Sequence, residues 1–204
     1  MIKIIDLNDP SKEYPIAPCG LVLGNFDGVH RGHLALIERL KSLNEGREEP
    51  LSIGAFCFEN HPFRYLGKPV SLLSSNEEKM ELLRKAGLQF VIFGDFAKLK
   101  DLSPEEFVRD FLINRCDCRL AVCGFNYSFG AKGKGKAEDL RRLFEAEGKG
   151  TVSIVPPVTD GELPISSTLI REMLESGMKD DASRLLGRPF DRMDAINKEK
   201  NNII

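Results

Sequence analysis

The chain has no tryptophan, three tyrosines and three histidines in 204 residues, so any grouping of histidines stands out. It has no apolar run approaching the roughly 20 residues of a membrane-spanning helix. The amino terminus, MIKIIDLNDP, lacks the apolar core of a secretory leader. There is no strong charge bias either: 29 basic against 31 acidic residues leave a net charge of −2. That balance argues against a nucleic-acid partner. The five cysteines (Cys19, Cys57, Cys116, Cys118 and Cys123) are odd in number and form no Cys-x-x-Cys pair. They read as reduced core thiols of a cytoplasmic protein with no membrane partner.

What is present is a regular alternation. Five apolar runs, CGLVLG (19–24), LSIGAFCF (51–58), FVIFG (90–94), LAVCG (120–124) and TVSIVPP (151–157), are separated by helical patterns. Runs apolar nearly throughout predict strands covered on both faces. Two helix starts are legible: Ser75 with Glu78, and Ser103 with Pro104 and Glu106, each pair spaced as a capping box. The order predicts an α/β protein: a Rossmann-like open parallel sheet of about five strands with helices on both faces. Such sheets bind ligands beyond the carboxyl ends of their strands. Residues 1–190 read as one domain and the polar DRMDAINKEKNNII (191–204) as a surface helix or frayed tail.

The first strand runs into LGNFDGVHRGH, which holds His30 and His33. Gly24 and Gly28 permit tight turns, Asp27 can hold the loop or cap the next helix, and Gly32 leaves room at its backbone. Imidazole N–H groups and orphan amides at a helix start suit a polyphosphate. Half a zinc site or incidental surface histidines are the competing readings, although no ligand spacing completes a metal site. Ser166, Ser167 and Thr168 open a second helix, with Arg171 one turn on, either an anion site or an ordinary cap. In GFNYSFG, Asn126 offers a donor and an acceptor. Phe125, Tyr127 and Phe129 alternate, which would put Phe125 and Phe129 on one face, as ligand cover or as core. Asn-His-Pro (60–62) reads as a turn with His61 at the surface. GAKGKGKA (130–137) mimics a P-loop but ends in alanine where a hydroxyl is needed. Lys132, Lys134 and Lys136 fit a mobile basic lid better.

Taken together, GNFDGVHRGH, FENHP, GFNYSFG, ISSTLIREMLESG and LLGRPF resemble, in order, the signatures of one family. That family is the adenylyltransferase (FAD synthetase) module of bacterial bifunctional riboflavin kinase/FAD synthetases, nucleotidyltransferases of the His-x-Gly-His type. The resemblance implies transfer of AMP from ATP to FMN, with Mg²⁺ arriving with ATP. It implies catalytic roles for His30, His33 and Arg171, and ATP contacts from Gly24, Asn25, Phe26, Asp27, Gly32, Ser167 and Thr168. It places flavin contacts at Pro62, Asn126, Tyr127 and Phe129. Leu169 departs from the pattern, since the family often has a second arginine there. The chain ends near where a riboflavin kinase domain would begin, so none is expected. A different phosphate acceptor, or a non-catalytic flavin or nucleotide sensor, are the alternatives.

Overall fold

The computed structural model describes residues 2–6, 18–59, 62–65, 67 and 70–190. Asn60, His61 and the segment 191–204 lie outside the described residues, as do the expectations placed on them.

Six parallel strands form one sheet: β1 (Lys3–Asp6), β2 (Cys19–Leu23), β3 (Ser52–Phe58), β4 (Phe90–Gly94), β5 (Cys118–Gly124) and a last strand, Thr151–Val155. The order across the sheet is β1-β4-β3-β2-β5 and then Thr151–Val155. The five apolar runs all become strands. The sixth, β1, pairs with β4 along the outer edge and was not expected. Its KIID is too short for its period to register, and Ile4 lies half exposed on that edge. Thr151–Val155 forms the opposite edge and is only partly buried, unlike β2 and β4, which are buried throughout.

The fully buried strands divide their side chains between two layers. Leu21, Leu23, Phe56 and Ile92 face one way, while Val22, Ala55, Cys57 and Val91 face the other. Against the second face pack α1 (Arg31–Glu45), through Leu36, Ile37 and Leu40, and Leu83 of a later helix, Asn76–Lys85. The intervening α2 (Pro62–Tyr65) is a single turn, so Asn76–Lys85 is α3 and Phe96–Leu99 is α4. The first face is covered from residue 104 onward. Ser103 and Glu106 form the expected capping box over α5 (Pro104–Glu106), with bonds of 2.7 and 3.2 Å. The helix then continues as a π-helix, Phe107–Arg115, in which the Cys116 N–H donates to Phe111 O. Its apolar pattern of Phe107, Val108, Phe111 and Leu112 does not distinguish a π-turn from an α-turn over so few residues.

Ser75 caps α3 as expected, accepting from the Glu78 N–H. The reciprocal half of that box does not form, because the Glu78 carboxylate turns to Arg188. All five cysteines are free and buried. Beyond β5 come a two-strand hairpin, β6 (Ser128–Phe129) with β7 (Gly135–Lys136), and α6 (Ala137–Glu147), followed by the edge strand, β8 (Thr151–Val155). A second hairpin, β9 (Thr159–Asp160) with β10 (Leu163–Pro164), leads into α7 (Ser167–Glu175) and α8 (Lys179–Leu186). These two helices form a satellite cluster around Ile170, Leu185 and Leu186. Successive crossovers leave β2 in opposite directions across the sheet. The strand order therefore reverses between β2 and β5, where a ligand crevice is expected.

Candidate active site

At that switch point a cavity of about 960 Å³ opens. Its floor is the loop after β2, where the backbone is strained: Phe26 and Val29 have φ of 52° and 38° although neither is glycine. Both are buried and held by the core. Gly28, at φ 79°, could not be otherwise, because a Cβ there would lie 2.9 Å from Leu73 Cβ.

The loop delivers His30 to the N-cap of α1. Its Nδ1 accepts from the His33 backbone N–H at 3.4 Å, a long bond that still puts the ring hydrogen on Nε2. The rings of His30 and His33 stack with centroids 3.7 Å apart, and Phe26 lies behind at 5.0 Å from His33. Burial, then the Arg188 and Arg171 charges, bring the His30 pKa down to about 4. Burial, then His30 and Lys79, hold His33 well below its ordinary value. Both imidazoles are therefore neutral near pH 7 and act as hydrogen-bond donors, not as cations.

The room expected above Gly32 is taken by the His30 ring. A Cβ at Gly32 would meet two of its atoms at 3.1 Å, and Ile165 O at 3.5 Å. That second contact brings the start of α7 against the start of α1. Ser166 caps α7 by accepting from the Leu169 N–H at 3.1 Å, and the Ser167 hydroxyl donates to Asp27 O at 2.9 Å. Two helix N-termini with unpaired amides thus converge on one point, an arrangement suited to an anion. Thr168 is exposed there.

Asp27 and Arg171 differ from simple ligands. The Asp27 carboxylate is buried, accepts from the Leu73 and Ser74 amides at 2.9 and 3.3 Å, and pairs with the Arg171 guanidinium. Arg171 Nε donates to Ser71 O at 2.7 Å. Only Nη1 of Arg171 is left without a partner among the described residues. Phe26 does not line the cavity, and Leu169 packs into the α7–α8 cluster. Arg188, not anticipated, donates to Gly28 O at 2.6 Å and to Glu78 at 3.1 Å, strapping the loop to α3.

Away from the histidines the cavity becomes aromatic. Pro62, Asn126, Tyr127 and Phe129, the residues given to the flavin in the sequence, line it together with Phe58, Tyr65 and Phe96. Phe58 and Tyr65 both meet Phe96 edge-on, at 5.1 and 5.3 Å, while Tyr127 stacks on Phe129 at 5.8 Å. Phe125 and Phe129 do not share a face: Phe125 is 49% exposed and Phe129 5%. A turn bonding the Tyr127 N–H to Gly124 O breaks the alternation. The expected mobile basic lid is the β6–β7 hairpin, pinned by Ala131 N–H to Leu102 O at 2.7 Å and by Lys136 Nζ to Gly133 O at 2.7 Å. Of its lysines only Lys132 reaches the cavity. Pro156 and Pro157 form a third wall. The wall residues missed in the sequence follow or end β3, β4 and β8, so the strand-end rule applied to every strand would have found most of them.

A crossover-reversed parallel sheet with converging helix N-termini and paired histidines defines the class: a Rossmann-like nucleotidyltransferase fold. Comparison with known proteins narrows it. The FAD synthetase family model matches residues 14–169, and the chain belongs to that family. The chain is 36% identical over 174 residues to a Listeria monocytogenes bifunctional riboflavin kinase/FMN adenylyltransferase, covering 83% of this chain and 54% of that protein. It is 32% identical over 181 residues to the Escherichia coli K12 protein of the same name, covering 86% and 56%. A Listeria monocytogenes FAD synthetase is 31% identical, covering 83% and 69%. A solved Streptococcus pneumoniae structure described as a macrolide-efflux protein superposes with a TM-score of 0.79 at 31% identity, covering 93% of this chain and 63% of that one. The chain spans about half the length of the bifunctional relatives. Among the described residues no helix is long and apolar enough to cross a membrane.

Proposed function

We propose that the protein is an ATP:FMN adenylyltransferase of the cytoplasm, acting on small molecules and not on nucleic acid. A phosphate oxygen of FMN attacks the α-phosphorus of MgATP. The bond from that phosphorus to the oxygen bridging to the β-phosphate breaks, leaving FAD and pyrophosphate. One observation carries the reading: a single cavity joins an end built on two helix N-termini, which suits an anion, to an aromatic end, which suits a fused ring.

At the anion end the Nε2–H groups of His30 and His33, the free Nη1 of Arg171 and the first amides of α7 stabilise charge on the departing pyrophosphate. Gly24, Asn25, Gly32, Ser167 and Thr168 bound the nucleotide, while Phe26 and Asp27 act from behind by holding the loop. At the other end Asn126 reads the polar edge of the flavin ring, and Pro62, Tyr127 and Phe129 cover its faces. Phosphoryl-group transfer needs little covalent help, so alignment and charge stabilisation dominate. Mg²⁺ enters as part of the substrate MgATP, where it neutralises phosphate charge.

The test is pyrophosphate release from MgATP with FMN, riboflavin or 4′-phosphopantetheine as acceptor. Release with FMN alone, and FAD as product, is expected. Release only with another acceptor overturns the flavin assignment, and binding without release points to a sensor.

A further inference from the structure

Lys79 is buried, at 7% exposure, and no hydrogen bond or ion pair engages its ammonium among the described residues. A lysine this enclosed is unusual, so its retention needs a reason. Its place is well fixed. The start of α3 is joined to the catalytic loop three times: Ser74 Oγ accepts from the Gly28 N–H, Asp27 accepts from the Leu73 and Ser74 amides, and Arg188 bridges Glu78 to Gly28 O. Lys79 follows Glu78 directly, on the buried side of α3 with Leu83. Its charge bears on His33 and on Cys57. His33 in turn has a buried Nδ1 without any hydrogen-bond partner. A buried ring nitrogen without a partner and a lysine whose charge bears on the same ring thus belong to one cluster.

We propose that Lys79 is a positioning residue: its ammonium is the missing partner of His33 Nδ1, and that pairing aims the His33 Nε2–H into the cavity. The catalytic consequence rests on the adenylyltransferase reading, whereas the pairing does not. His30 needs no such help, because the His33 backbone N–H already fixes its tautomer. A cation on the Nδ1 side draws density from the ring, so the Nε2–H becomes a stronger donor to the oxygen that leaves with pyrophosphate. The charged and titratable groups bearing on His33 are Lys79 from α3 and the stacked His30, with Arg171 and Arg188 bearing on His30.

The experiment is ¹⁵N NMR of the imidazoles in the full chain, wild type against Lys79→Met and Lys79→Gln, with three histidines to assign. In wild type His33 is expected as the Nε2–H tautomer, remaining neutral well below the ordinary histidine range. In Lys79→Met the Nδ1–H tautomer should appear and the His33 titration should move up toward its ordinary value near 6.5. In parallel, kcat should fall about 10–100-fold, the range for groups that orient functional histidines, with KM for ATP and FMN nearly unchanged. Lys79→Gln removes the charge but keeps a donor, so it should hold the tautomer and recover part of kcat. It also serves if Lys79→Met does not fold. Unchanged His33 nitrogen shifts in Lys79→Met would overturn the pairing, as would a loss confined to KM for ATP, which would mean direct contact with the triphosphate. If the wild type makes no FAD, the functional reading fails while the NMR result still decides the pairing.

Discussion

Replacing Asp27 by asparagine tests the structural logic of the site at its most enclosed point. The Asp27 side chain is 4% exposed and that of Arg171 14%, so their ion pair is shielded from solvent. Asparagine keeps an oxygen for the Leu73 and Ser74 amides but turns an NH₂ toward the guanidinium. Removing one partner from a buried pair costs about 3–5 kcal/mol. The retained amide bonds put Asp27→Asn near the lower end, at about 3 kcal/mol. For a chain of this size each kcal/mol moves Tm by roughly 2–4 °C, which gives a fall of about 6–12 °C. Asp27→Ala also strands two buried amide donors, each worth about 1–3 kcal/mol, and should fall further. Arg171 would lose its aim as well, so KM for ATP should rise more than KM for FMN. Urea and thermal unfolding report the first effect and steady-state FAD formation the second. If Asp27→Asn unfolds within about 1 kcal/mol of wild type, below even the weakest buried-pair loss, with KM for ATP unchanged, then the pair does not hold the site together.

Three further outcomes follow from the same geometry. Folded His30 binds a proton only below about pH 4, whereas unfolded His30 does so near pH 6.5. The unfolded chain therefore binds more protons between these values, and stability rises with pH across that window. From the His30 shift alone, stability should be complete above pH 6.5 and drop by about 3 kcal/mol as pH falls toward 4. His30→Asn, which keeps a capping acceptor, should flatten that drop in urea midpoints measured across the window; an unaltered slope would remove His30 as its source. Gly32→Ala should leave Tm nearly unchanged but lower kcat roughly tenfold or more, because the His30 ring must shift from a contact at 3.1 Å. Phe96→Ala should raise KM for FMN while sparing KM for ATP, and equal effects on both would refute a divided cavity.

The parts of this architecture set by local chemistry were legible in the sequence. The capping box of Ser103 and Glu106, the five apolar strands and the two helix starts at His30 and Ser166 depend on residues a few positions apart. What escaped depends on distant partners. Asp27 reads as a loop or ligand residue until Arg171, 144 positions away, is folded against it. Gly32 offers space on paper, but the His30 ring folds back and fills it. Phe125 and Phe129 lose their common face to a turn that alternation cannot reveal. β1 is a strand because the β4 edge is open to it, not because KIID demands it. Phe96 reaches the cavity only because β4 ends beside β3, a neighbour relation set by topology. Lys79 looks like any helix lysine until α3 is pinned to the loop and its charge is enclosed.

In the proposed reaction the paired imidazoles face a triphosphate whose α-phosphorus is attacked by a second phosphate. The most direct measurement follows the label from ATP carrying ³²P at either the α or the γ position, with FMN and Mg²⁺ present. The α-label is expected in FAD and the γ-label in pyrophosphate. Appearance of γ-label in a flavin product, or in free phosphate without FAD, would mean that a different bond is broken and would contradict it.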